Sequence, residues 1–134
     1  MASCTARVKS LDHLVLTVSD IEATVRWYQT HLGMQHESFT SPTDPLVERH
    51  ALKFGEQKIN LHKSGAEFEP KAGNVRPGSA DLCFLSDTHV DDVLSSLQQQ
   101  GVKILEGGKV VDRTGARGRL RSVYIRDPDD NLIE

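Results

Sequence analysis

The sequence predicts an α+β domain in which one small unit is used twice, and two observations carry that prediction. An apolar strand, an amphipathic helix and a closing glycine occur in that order over residues 11–33 and again over residues 80–101. The register that sets Gly33 on Gly101 also sets His13 on Asp81, so two landmarks agree on one offset, as a duplication requires.

Each element has a local reason. Leu11 to Val18 is an apolar run of strand length. Ser19 or Asp20 suits the N-cap of the helix that follows. Ile21, Val25, Tyr28 and Leu32 give that helix one apolar stripe, and Gly33 stands where a left-handed C-cap is expected. Three strand-like pieces come next: Met34 to Phe39, Val47 to Phe54 and Lys58 to Lys63, the last two joined at Gly55-Glu56. Residues 64–78, rich in glycine, proline and charge, read as the connection between halves.

The second half repeats the pattern. Ala80 to Ser86 is the strand, Thr88 the expected cap with Asp91 three residues on, and Val90, Val93, Leu94 and Leu97 the stripe. Val102 to Glu106, Leu120 to Arg126 and Leu132 to Glu134 are its three strand pieces. Residues 107–119 hold four glycines and are expected to form a mobile loop. The expected boundaries are a flexible leader at 1–10, a first module at about 11–63, the connection at 64–78 and a second module at about 79–134. Near the end, Pro128, Asp129, Asp130 and Asn131 are turn residues between two short strands. Strand alternation puts Leu132 and Glu134 on one face and Asn131 and Ile133 on the other.

Composition limits the function classes. A chain of 134 residues that is 37% hydrophobic and 26% charged is an ordinary globular domain. Neither half has enough apolar surface to stand alone, so the halves must pack together or pair with those of another chain. A net charge of -3 argues against a nucleic-acid partner. Cys4 and Cys83 make no disulfide framework, which points to a reducing compartment, the cytoplasm by default. No apolar stretch reaches the length of a membrane helix, and residues 1–10 lack a signal-peptide core.

Asp12-His13, Trp27-Tyr28, Leu32-Gly33-Met34, Phe54-Gly55 and the closing Asp127-Pro128-Asp129-Asp130-Asn131-Leu132-Ile133-Glu134, set in a duplicated unit, resemble the vicinal oxygen chelate superfamily. That group holds the glyoxalase, bleomycin-resistance and dioxygenase proteins. The run Phe54 to His62, followed by Glu67-Phe68-Glu69-Pro70-Lys71, is similar to the glyoxalase-domain-containing protein 5 subgroup. The resemblance implies two βαβββ modules whose curled mixed sheets surround a cavity, often completed across a homodimer.

It also implies a divalent metal held by the first and fourth strands of each module. Those positions carry His13, Asn60, Asp81 and Glu134 here, with His62 as the substitute for Asn60. Asp81 stands where the family has His or Glu, and Asn60 where glyoxalase I has Glu, which points away from glyoxalase I activity itself. One nitrogen and three oxygens suit Zn, Ni, Mn, Fe or Co and leave open positions for substrate. Each residue also has a plain structural role to fill: a hydrogen-bonded strand histidine, an Asp81 capping its entry turn, a solvated Glu134, an Asn60 bonded to backbone.

The implied activity is a lyase or isomerase of glyoxalase type. Its metal chelates neighbouring oxygens of a small substrate, and Glu134 or Asp81 moves a proton α to a carbonyl through an enediolate-type intermediate. The alternatives are a dioxygenase, a metal-free drug-binding protein of bleomycin-resistance type, and thiol transfer as in fosfomycin resistance. Arg113, Arg117 and Arg119 lie among two glycines and match an anionic substrate by their fork geometry, or else decorate a solvated loop. Trp27 and Tyr28 are expected to pack, Lys53 and Lys58 to be solvated, and His31, His36, His50 and His89 to serve surface or packing roles.

Overall fold

The computed structural model describes residues 3–134, so the first two residues of the expected leader lie outside the description, and residues 3–10 form no helix or strand. The first half contains β1 (His13–Val18), α1 (Ile21–Leu32), β2 (Gln35–Thr40), β3 (Glu48–Phe54) and β4 (Gln57–Lys63). They form one mixed sheet in the order β1-β4-β3-β2, with β1 parallel to β4 and the other neighbours antiparallel. The Asp20 side chain caps α1 by accepting from the Ala23 amide at 2.9 Å. Gly33 ends it at φ 65°, a left-handed conformation that a residue without a Cβ adopts at no steric cost.

The second half contains β5 (Asp81–Leu82), α2 (Val90–Gln99), β6 (Val111–Gly115), β7 (Gly118–Ser122), β8 (Ile125–Arg126) and β9 (Leu132–Ile133). β5 runs parallel to β9 as β1 does to β4, β8 pairs antiparallel to β9, and β6 and β7 form a hairpin. Only Val123 and Tyr124 separate β7 from β8, so the chain order of the two halves matches. The sheets are mixed and the helices few: this is the α+β class that the sequence predicts.

Several local expectations differ from the structure. Of the expected strand Ala80 to Ser86 only Asp81–Leu82 is strand, and Leu120 to Arg126 is divided between β7 and β8. Val102 to Glu106 is not a strand; that stretch leads into a short 3-10 turn at Glu106–Gly108. The glycine-rich segment 107–119 is not a loop but mostly the β6–β7 hairpin. Its glycines sit at the hairpin's two ends, where Gly107, Gly108 and Gly118 take positive φ, rather than along its strands. The cap of α2 is His89, whose Nδ1 accepts from the Asp91 amide at 3.2 Å, in place of Thr88.

One core joins the halves. Leu16, Val18, Tyr28, Leu52, Ile59 and Leu61 from the first half cluster with Leu97, Val123, Ile125 and Ile133 from the second. The polar joint beside it explains the closing sequence motif. Asp127 Oδ1 accepts from the amides of Asp129 and Asn131, both at 2.9 Å. Asp127 Oδ2 accepts from Tyr28 Oη at 2.7 Å and from Asn131 Nδ2 at 2.8 Å. Asn131 Oδ1 in turn accepts from the Ala80 amide at 2.9 Å, and the Asp129 carboxylate accepts from the Ser19 amide at 3.1 Å. Gly78 closes against the same turn: it sits at φ 80°, and an added Cβ would collide with the Asp129 carbonyl oxygen. No helix among the described residues is long and apolar enough to cross a membrane.

Candidate functional site

Strand alternation gives the first sheet a helix side and an open side. On β4, Ile59 and Leu61 are buried in the core, which leaves Lys58, Asn60 and His62 on the open side. The pairing register extends that side across all four strands. His13, Lys58, Lys53 and Gln35 make one row, and Val15, Asn60, Ala51 and Glu37 the next. A third row holds Thr17, His62, Arg49 and Phe39, where the Arg49–His62 neighbourhood follows from the adjacent His50–Leu61 pair. The face is exposed at Val15, 46% exposed in the middle row. It closes toward Ala51 and Thr17, which are buried, and toward Phe68, whose ring lies against Arg49 and His62. Lys53 and Lys58, expected as solvated turn residues, stand on the same face as His13 and Asn60. Lys53 pairs with Glu37 at 3.5 Å, and Lys58 Nζ lies 5.2 Å from the Phe39 ring centre.

This face contains buried polar atoms with no hydrogen-bond partner among the described residues: Asn60 Oδ1, His62 Nδ1 and Arg49 Nε. Such atoms cost free energy in a folded protein unless something else satisfies them, which makes them informative. The His62 imidazole is held below its ordinary pKa, first by desolvation and then by the Arg49 charge, with Glu67 opposing. His13 Nδ1 lies 2.8 Å from Asp12 Oδ1. That carboxylate orients the ring and leaves Nε2 as the nitrogen for a ligand bond.

The second sheet carries the other candidates. Asp81 pairs with Leu132, which puts Glu134 one diagonal step from Asp81. His13 pairs with Lys58, which puts Asn60 one diagonal step from His13. The two candidate pairs therefore occupy equivalent positions in the two modules. Ser122 Oγ donates to Glu134 Oε2 at 2.7 Å and fixes the carboxylate. Tyr124 has its hydroxyl pKa raised, chiefly by desolvation and then by Glu134, with Arg113 pulling the other way. The Cys83 thiol is also raised, by desolvation first and the Glu134 charge second. Arg113 lies 5.3 Å from the Tyr124 ring centre.

The structure thus brings His13 to Asn60 and Glu134 to Asp81, with Arg113 reaching Glu134's neighbour Tyr124. His62 shares the face of His13 but lies opposite Thr17, two rows away, so it does not stand in for Asn60 beside His13. It does not bring the two sets together within the chain: no three His, Cys, Asp or Glu among the described residues gather around one metal position. Arg119 pairs with Thr114, one residue out of phase with Arg113 and so on the other face of the hairpin, and Arg117 lies at its turn. Sequence reasoning missed Ser122, Tyr124, Cys83 and Arg49. The alternation Leu120, Ser122 along β7 would have found the first; no sequence signal marked Arg49. It also set aside His36 and His50, which stack on neighbouring strands with Nε2 and Nδ1 2.9 Å apart. As donors, one imidazole, one amide oxygen and two carboxylates fit a divalent metal, and the unpartnered Asn60 oxygen fits a ligand role.

A family model described as the Glyoxalase/Bleomycin resistance protein/Dioxygenase superfamily matches residues 10–134. The virulence protein STM3117 of Salmonella typhimurium is 53% identical over 127 residues, covering 95% of this chain and 83% of that protein. The glyoxalase domain-containing protein RDO1 of Mycosarcoma maydis is 50% identical, covering 95% of this chain and 67% of that protein. A solved integron cassette protein of Vibrio cholerae superimposes with a TM-score of 0.86 at 52% identity, covering 97% of this chain and 95% of the other. The fold is also that of a lactoylglutathione lyase from Agrobacterium tumefaciens, with a TM-score of 0.67 at 19% identity over 96% of this chain and 92% of the other.

Proposed function

This chain belongs to the glyoxalase/bleomycin resistance/dioxygenase superfamily, and on that premise we propose that it is a metal-dependent lyase or isomerase acting on a small substrate with two neighbouring oxygens. The proposal places it near the glyoxalase-domain-containing protein 5 subgroup, in the cytoplasm, as a homodimer. The observation that carries the reading is the equivalence of the His13–Asn60 and Asp81–Glu134 diagonals, together with the unpartnered Asn60 oxygen on an open face. Each chain supplies half a ligand set on each of two faces. A second copy would join the first module of one chain to the second module of the other.

A bound divalent ion would supply Lewis-acid polarisation of the substrate oxygens. The chain's own residues supply the rest. Asp12 orients His13 for ligation. Ser122 holds Glu134, a carboxylate suited to moving a proton α to a carbonyl. Tyr124, kept protonated beside Glu134, offers a hydroxyl donor to a developing oxyanion. Asp81 is the alternative base.

Subunit mixing tests the arrangement. His13→Ala and Glu134→Gln should each lose metal binding alone. Unfolded together and refolded, they should regain roughly a quarter of the sites, because random pairing restores one intact site in each mixed dimer. No recovery would mean that the modules do not share sites between chains. Unchanged metal content in both single variants would remove these residues as ligands, and ligand binding that survives metal stripping would favour a metal-free binding protein.

A further inference from the structure

We propose that Arg49, His62 and the Phe68 ring form an anion-binding subsite on the open face of the first sheet, taking the carboxylate or phosphate group of the substrate. The inference deepens the function proposed above and rests on it for the word substrate; the anion site itself stands on separate residues.

Four observations lead to it. The register places Arg49 beside His62, one row from Asn60, all on the open side. The Arg49 guanidinium lies 4.1 Å from the Phe68 ring centre, and His62 meets the same ring edge-on at 5.2 Å, so one aromatic surface sets both donors. Stacking accounts for the flat face of the guanidinium. It leaves the buried Nε–H without an acceptor, and the buried His62 Nδ1 beside it is also without a partner among the described residues. Among the described residues Arg49 forms no ion pair. Glu67, the acid whose charge acts on His62, accepts from the Gly65 amide at 3.1 Å.

Charge points the same way. Lys53, Lys58 and Arg49 share a face on which Glu37 is the acidic member, in a chain whose net charge is -3. A guanidinium in a fixed plane with a free N–H is the recognition unit for a planar or tetrahedral oxyanion. An imidazole at its side can turn a ring nitrogen toward the ligand, donating to an anionic oxygen or accepting from a protonated one. The position also states a length. Two residues along β4 separate His62 from Asn60, about 7 Å of strand. The substrate would then chelate at the His13–Asn60 end and end in an anionic group about 7 Å away, a spacing of a few bonds.

The test titrates sodium acetate or inorganic phosphate into the protein at constant ionic strength and follows the His62 ring resonances by NMR. Saturable shifts are expected in the wild type and in His13→Ala, with at least about a tenfold weaker response in Arg49→Met, which keeps the length but not the charge. The tighter of the two anions names the source, carboxylate or phosphate. Phe68→Leu, which removes the platform and leaves the arginine, should weaken binding several-fold and keeps the test alive if Arg49→Met does not fold. Shifts that do not saturate, or that are equal in Arg49→Met and the wild type, would overturn the proposal. Binding lost in His13→Ala but kept in Arg49→Met would place the anion at the chelating pair and overturn it as well. Failure of His13 as a metal ligand, by contrast, leaves the acetate and phosphate titrations unchanged, so the two readings fail separately.

Discussion

Two polar regions of this molecule are built in opposite ways. At the turn of residues 127–131, the Asp127 oxygens accept four hydrogen bonds from backbone, amide and phenol donors, and the Asn131 oxygen is bonded as well. On the open side of β3 and β4, Asn60 Oδ1, His62 Nδ1 and Arg49 Nε are buried and unpartnered among the described residues. The first arrangement minimises free energy within the chain and joins the two halves. The second leaves free energy to be recovered when a ligand binds. Satisfaction of polar groups therefore separates the structural joint from the candidate site more clearly than residue type does, since an asparagine stands in both, Asn131 bonded and Asn60 unpartnered.

The largest expected effect comes from breaking the joint. Asp127→Ala strips the acceptors from four donors, and a loss of about 3–5 kcal/mol of folding stability is expected in urea denaturation. A loss under about 1 kcal/mol would mean that the turn is not the joint described.

Tyr28 sharpens the same point through pH. Burial and then Asp127 hold its phenol far above its ordinary pKa, so the folded state keeps it neutral. The stability it contributes is fully present below the unfolded value of about 10 and falls as pH rises above it. Tyr28→Phe should cost about 1–2 kcal/mol near neutrality and flatten the alkaline limb of stability against pH. An alkaline limb as steep in the variant as in the wild type would assign that limb to other groups.

His62 gives the opposite sign. Desolvation and Arg49 hold its folded pKa below the ordinary 6.5. Its contribution is intact above that unfolded value and is lost as pH falls below it, because the unfolded chain takes up the proton more readily. Thermal melts of His62→Gln should depend less on pH below 6.5 than those of the wild type. Identical slopes would mean that the His62 environment is as open as solvent.

The smallest effect on folding is expected at the open face itself. Asn60→Leu removes a buried acceptor that gains nothing from the chain, so stability should change by less than about 1 kcal/mol, or rise, while metal affinity falls. A large loss of stability would show that Asn60 is satisfied and structural, and would remove the contrast on which the site assignment rests.

The parts of this account that were legible in the sequence are those with local causes. Asp20, the stripe Ile21–Val25–Tyr28–Leu32 and Gly33 specify α1 by capping and periodicity, and the repeat of that pattern exposes the second half. The His13 to Asp81 register survives in the strand pairing because both strands lie parallel to the last strand of their module. What failed was local as well. Glycines at the ends of the β6–β7 hairpin looked like the substance of a loop. What could not be read was long-range. The Arg49–Phe68–His62 cluster joins a central strand to the segment after β4. Nor does any spacing in the sequence show that Ser122 would hold Glu134.

The most direct test of the central claim is metal content by elemental mass spectrometry on untagged protein, wild type against His13→Ala and Glu134→Gln. The account predicts about one equivalent of a divalent ion per chain in the wild type, lost in both variants while their folds persist. No metal in the wild type after incubation with Zn, Ni, Mn, Fe or Co, or full metal in both variants, would contradict it.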